Sequence, residues 1–201
     1  MSYKEYQKSR NAAWQLLLDC HVVELPVDLN QILRQLEIGA YPYQGNEMLI
    51  RKLGLENLIV QTEGLSFFRG EKPVILYDRN LLPYRIRFTV AHELGHIILG
   101  HVVPGEATKR NQEPGSGDGP LETAANQFAA RLLAPACVLW GLDLHTASEI
   151  SSQCHISYQA AMFRAKRMEE LYRRNKFLTS PLEQKVYHEF LPFIEAHRHH
   201  Y

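Results

Sequence analysis

RFTVAHELGHIILGH, Arg87 to His101, sets two histidines four residues apart, His92 and His96, with Glu93 beside the first. In a chain with ten histidines, a His-Glu-x-x-His match arises by chance on the order of a few times in a hundred sequences, so the match alone is a hypothesis. Helix geometry gives it content. Ala91 to Glu93 and His96 to Leu99 suit a helix, and Pro83 suits a first turn. Residues four apart on a helix share a face, about 6 Å from one another, so His92 and His96 can reach one ion. Zinc takes imidazole nitrogen at about 2.0–2.1 Å, and two such ligands one turn apart fit a tetrahedral site. Glu93 falls on the adjoining flank. There it can touch a water at the metal without being a ligand, which is the place of a general base. Gly95 leaves room for substrate or for another backbone. Phe88, Val90, Ile97, Ile98 and Leu99 predict a helix buried nearly all round. Two histidines and a glutamate on such a helix need partners. The alternative is a core helix whose polar groups are satisfied by protein hydrogen bonds alone.

A third ligand should follow. The metzincin pattern places a Gly seven and a His ten residues after the first His, and those positions hold Leu99 and Val102. Gly100 and His101 miss that register. On a continuing helix His101 points about 180° away from His92, because nine residues advance about 900°. His101 is therefore not expected to be a ligand. The remaining class takes a Glu from a second helix and leaves water in the fourth position.

PLETAANQFAARLLAP, Pro120 to Pro135, is that helix: an alanine-rich run bounded by prolines. Glu122 and Asn126 are four apart and share a face, which Ala125, Ala129, Leu132 and Leu133 extend. Ala124 and Ala130 would let another helix come close. Glu122 is the expected third ligand. Asn126 is placed to hydrogen-bond a ligating His, since metal-bound imidazoles usually have such a partner. The competing reading of Glu122 is a first-turn carboxylate favoured by the helix dipole.

Together these two stretches resemble the ImmA/IrrE family of metallopeptidases. The family pattern is Arg-Phe-Thr-x-Ala-His-Glu-x-Gly-His, a spacer, then Glu-x-x-Ala-Asn-x-Phe-Ala-Ala-x-Leu-Leu-x-Pro. The likeness continues upstream through ELPVDLNQILRQLEI, GLSFF and KPVILYDRN, and covers roughly residues 3 to 170. One departure is Ala134, where the family often has Met. The resemblance implies that His92, His96 and Glu122 bind zinc and that Glu93 is the catalytic carboxylate. It implies a cytoplasmic endopeptidase, associated with mobile elements, that cleaves a phage-type helix-turn-helix repressor. It also implies an α+β fold: a mainly helical zincin-like core with a small antiparallel sheet beside the His-Glu-x-x-His helix. Residues 1–140 would form the metallopeptidase domain and 141–201 a helical segment packed on it.

Bulk properties fit. The 201 residues suit one domain with a small appendage, and a 45% hydrophobic content is enough for a core. A net charge of zero gives no overall field toward nucleic acid or membrane. The N-terminal MSYKEYQKSRNAAWQLLLDC lacks the apolar run of a signal peptide, and nothing is long enough for a transmembrane helix. Cys20, Cys137 and Cys154 are odd in number and scattered, which reads as reduced thiols in a cytosolic protein.

The coarse order along the chain follows from periodicity and breakers. A helix is expected over Tyr3 to Cys20, then a second over Leu29 to Leu36 with Asp28 as its cap. IGAYPY reads as a short strand, followed by short helices at Glu47 to Leu53 and Leu55 to Gln61. GLSFFRGEKPVILYD reads as a hairpin, Leu65 to Phe68 and Val74 to Tyr77. The strand just before the metal helix is expected to form a cleft edge, where an extended peptide can add a strand. VPGEATKRNQEPGSGDGP, Val103 to Pro120, reads as a mobile surface loop, either a lid over the cleft or a plain linker.

ASEISSQCHISYQAAMFRAKRMEELYRR resembles a helix-turn-helix, with a turn at His155 to Ser157 and Ser157 capping the second helix. Arg164, Lys166, Arg167, Arg173 and Arg174 make DNA contact a candidate role. Glu169, Glu170 and the neutral chain favour packing or substrate docking. The terminal AHRHHY reads as a solvated tail. Two function classes follow. One is a zinc endopeptidase acting on a repressor. The other is a non-catalytic regulatory module that binds repressor or DNA around a structural metal. Glu93 favours the first, since a binding module needs no base beside its histidines. His145, His155 and Tyr158 are candidate oxyanion donors only by chain order and donor type.

Overall fold

A computed structural model describes residues 3–104 and 119–198. The expected loop lies mostly outside the described residues, as does the end of the histidine-rich tail. The chain divides into two compact units, Met1–Ser9 with Leu29–Ala129, and Arg10–Asp28 with Ala130–Tyr201.

Helix α1, Tyr3–Asp19, begins in the first unit's residues and continues into the second's. The first unit then runs α2 (Leu29–Gln35), β1 (Gly39–Pro42), α3 (Glu47–Lys52), α4 (Glu56–Ile59), β2 (Gly64–Arg69), β3 (Lys72–Tyr77), α5 (Pro83–Ile98) and the start of α6 (Pro120–Leu133). The three strands form one sheet in the order β1-β3-β2. β2 and β3 are the expected hairpin, with Ser66 opposite Ile75 and Arg69 opposite Lys72.

The sheet is mixed, not antiparallel throughout: β1 runs parallel to β3, with Ala40 opposite Ile75. The chain leaves β1, crosses through α3 and α4, and returns in β2, so β3 comes back in the direction of β1. A parallel pair needs a crossover of this kind. A second correction follows. β3, the strand directly before α5, is the middle strand, and the edge beside α5 is β2.

Period-2 alternation divides the hairpin's faces. Leu65 and Phe67 of β2 join Val74 and Leu76 of β3 in a buried cluster with Tyr43, Ile50 and Leu55. The opposite face, with Ser66 and the fully buried Ile75, turns toward α5, which packs on both strands. Burying this apolar set, at about 25 cal/mol per Å², fixes the hairpin register. A one-residue slip would turn the apolar set to the wrong face.

Helix α5 starts on Pro83 at its first turn, as expected. It is not buried all round. Thr89 to His96 are buried except for half-buried His92, while Pro83 to Arg85 are exposed and Ile97 and Ile98 are half-covered. Its N-terminal turn is exposed, and burial is concentrated along the stretch that carries the histidines.

The second unit contains most of α1, the end of α6, and α7 (Ala136–Gly141), α8 (Ala147–Cys154), α9 (Tyr158–Arg173), α10 (Pro181–Glu189) and α11 (Leu191–His197). Its core is formed where α10 and α11 pack on α7, around Val138, Leu139, Val186, Phe190 and Ile194. The expected pair α8 and α9 is present. His155 ends α8 with a left-handed φ of 52° and Ser157 caps α9, accepting from the Ala160 N–H at 3.1 Å. All three cysteines are buried thiols outside any disulfide, and burial pushes the Cys137 thiol up to about 12. Among the described residues, no helix is long and apolar enough to cross a membrane.

Candidate metal centre

The centre is built where α6 crosses α5 within the first unit. A Cβ on Gly95 would lie 2.9 Å from Phe128 Cδ1 and 3.3 Å from the Ala125 carbonyl oxygen. The missing side chain at Gly95 therefore admits α6, not substrate. The close approach on the α6 side is made by Ala125 and Phe128 rather than by Ala124. One turn earlier on α6 stands Glu122, half-buried in the first turn, where the helix dipole favours a carboxylate.

His92, His96 and Glu122 converge. The two Nε2 atoms are 3.0 Å apart. Glu122 Oε2 lies 3.1 Å from His92 Nε2, and Oε1 lies 3.3 Å from His96 Nε2. Donors 2.0–2.1 Å from a tetrahedral ion stand about 3.3–3.4 Å apart, so this triangle already has nearly the right edges. The electrostatics agree. The Nδ1 of His92 is 2.9 Å from the Asn126 side-chain oxygen, which can only accept, so that nitrogen donates. In the neutral ring, Nε2 then presents a lone pair toward another imidazole nitrogen and a carboxylate. With His96 Nε2 also unprotonated, a cation between the three groups would meet a lone pair from each.

The same groups shift one another's proton affinity. Burial opposes charge on Glu122, yet hydrogen bonds with His92 and His96 hold its carboxyl well below the ordinary carboxylate range. Burial would lower the His92 pKa, but Glu122 and Glu93 outweigh it and the value is raised. The residues at the centre thus form a group that could hold a metal ion.

Glu93, next to His92 on α5, is only 4% exposed. Its carboxylate is engaged from the sheet: Ser66 Oγ donates to Glu93 Oε2 at 2.6 Å. Sequence reasoning missed Ser66. The signal was a lone serine in the apolar run Leu65 to Phe68, on the face opposite Leu65 and Phe67. His101 was also missed as a contributor. It is outside the ligand triangle, as expected, but its Nδ1 lies 3.0 Å from His96 Nδ1.

The remaining candidates lie in the second unit. His145 Nε2 bonds Asp143 Oδ1 at 2.9 Å, and its ring stacks on Tyr172. His155 ends α8, and Tyr158 is exposed at the start of α9. Arg164, read as part of a basic face, is 5% exposed and so removed from that face. Helix α9 must bury one stripe to pack, and Arg164 falls on it with Ala161 and Met168. Arg167 pairs with Glu170 at 2.6 Å.

The chain matches a protein-family model. The model for the IrrE N-terminal-like domain, peptidase M78, matches residues 54–166, more than half of the chain. The matched residues include α5, α6 and the hairpin. No curated protein matches the chain.

Proposed function

The chain belongs to the peptidase M78 family with the IrrE N-terminal-like domain, and we propose that it is a zinc-dependent endopeptidase that cleaves a helix-turn-helix repressor of the phage type. The observation that carries this reading is Glu93. It is a buried carboxylate beside the three-donor cluster, is not one of the donors, and is held by Ser66. A purely structural metal clamp gives no reason for it.

His92, His96 and Glu122 would hold the ion, and two imidazoles with one carboxylate are a donor set that suits zinc with one position left open. Bound there, zinc supplies Lewis acidity, polarising a carbonyl and making water easier to deprotonate. Glu93 takes the proton from the attacking water and hands it to the leaving amine. Ser66 helps to orient the carboxylate for this work. Edge strand β2 offers its outer backbone groups to an extended substrate, which would add as a strand alongside α5. The repressor as substrate rests on family resemblance. Three buried cysteines outside any disulfide support action in the reducing cytoplasm.

Burial of Arg164 and pairing of Arg167 weigh against DNA contact. Exposed Tyr158, Met162 and Phe163 on α9 favour protein docking at the helix-turn-helix instead. The test is co-expression of wild type and Glu93→Gln with a candidate repressor. Because general acid–base catalysis is worth about 10²–10⁴-fold, cleavage should fall by at least that factor while zinc content holds, and pull-down should recover uncut repressor. A Glu93→Gln protein with full zinc that relieves repression as well as wild type would overturn the peptidase reading.

A further inference from the structure

An imidazole ligand has two nitrogens, and only one can face the ion. For His96 that is Nε2, 3.0 Å from His92 Nε2 and 3.3 Å from Glu122 Oε1. The other, Nδ1, meets His101 Nδ1 at 3.0 Å with the rings edge-on at 68°. At that distance one nitrogen carries the proton and the other accepts it.

The contact is produced by the way α5 ends. The helix stops at Ile98, Gly100 takes a φ of 71°, and the His101 N–H donates to the His96 carbonyl at 2.9 Å. A left-handed glycine that closes a helix end in this way doubles the chain back over its last turn. On a continuing helix His101 would point away from the site. The glycine turn instead lays it against His96.

We propose that His101 is a positioning residue of the metal centre: it accepts the Nδ1 proton of His96 and thereby holds the tautomer whose Nε2 lone pair faces the ion. This rests on the metal-centre reading above. With His101 accepting through Nδ1, its own proton sits on Nε2. The centre then has one orienting acceptor for each histidine, Asn126 for His92 and His101 for His96. The two differ in one respect: Asn126 is exposed to water, whereas His96 is fully buried.

The amide oxygen of Asn stands off the Cγ atom as His Nδ1 does, so His101→Asn keeps an acceptor in nearly the same place, while His101→Phe keeps a ring and removes it. The test is zinc competition against a chromophoric chelator with full-length wild type, His101→Phe and His101→Asn, together with thermal melts of the metal-free proteins. Loss of a ligand's hydrogen-bond partner typically costs about 10–100-fold in metal affinity. His101→Phe should lose that much, His101→Asn should stay within about threefold of wild type, and the metal-free melting temperatures should agree. Equal zinc affinity in wild type and His101→Phe overturns the role of His101 alone, as does an Asn variant as weak as Phe. A wild type that binds no zinc overturns the metal centre and this proposal with it.

Discussion

Ser66 shows what one buried hydroxyl contributes at the residue scale. It is 2% exposed and donates to Glu93 Oε2 at 2.6 Å. A carboxylate without that bond is free to rotate away from the proton it must take. Ser66→Ala should leave zinc content unchanged and lower kcat about tenfold, equivalent to about 1.4 kcal/mol, with KM little affected. Unchanged kcat with a raised KM would assign Ser66 to substrate binding instead. The sequence makes His92, His96, Glu122 and Asn126 legible as a cluster because helix periodicity alone brings each pair onto one face. Ser66 and His101 are not legible in that way. The contact of Ser66 with Glu93 spans 27 residues and depends on strand register. The place of His101 depends on where α5 stops, which spacing does not state.

At the scale of elements, the crossing of α5 and α6 at Gly95 sets the distance from Glu122 to the histidines. Gly95→Ala puts a methyl 2.9 Å from Phe128 Cδ1 and 3.3 Å from a backbone oxygen that cannot swing away. Overpacking of this kind costs about 1–3 kcal/mol. The variant should melt lower and also bind zinc more weakly, and lower stability with unchanged zinc affinity would separate the crossing from the centre. Helix α8 offers a test in the second unit. Thr146 and Glu149 form a capping box, with Glu149 Oε2 accepting from the Thr146 N–H at 2.8 Å and from the His145 N–H at 3.0 Å. Those backbone hydrogen bonds hold the Glu149 carboxyl below its ordinary value of 4.5. A lowered folded pKa adds stability that is present above the unfolded value and is lost as pH falls through the folded one. Thr146→Ala should cost about 1 kcal/mol at pH 7. Glu149→Gln should flatten the stability loss below pH 4.5, both read by denaturant titration. Hairpin and helices are legible from period and breakers. The parallel placement of β1 is not, because four residues of strand carry no record of which neighbour they join.

For the whole molecule, zero net charge and a basic helix that buries Arg164 argue against sequence-selective DNA binding. Duplex DNA should bind only at the nonspecific level, about 10⁻⁴–10⁻⁶ M at physiological salt. Nanomolar, sequence-selective binding lost on Lys166→Ala and Arg173→Ala would reverse that. The grouping of Arg10–Asp28 with Ala130–Tyr201 has no local signal, since an amphipathic helix announces an apolar face and not its partner. His92, His96 and Glu122 are proposed as the ligands, with Glu93 beside them as base and not ligand. The decisive experiment is elemental analysis of metal per chain in purified wild type, Glu93→Gln and Glu122→Gln. About one zinc per chain is expected in the first two proteins, and almost none in the third, where a neutral amide replaces the anionic ligand. Full metal in Glu122→Gln together with loss in Glu93→Gln would contradict this assignment.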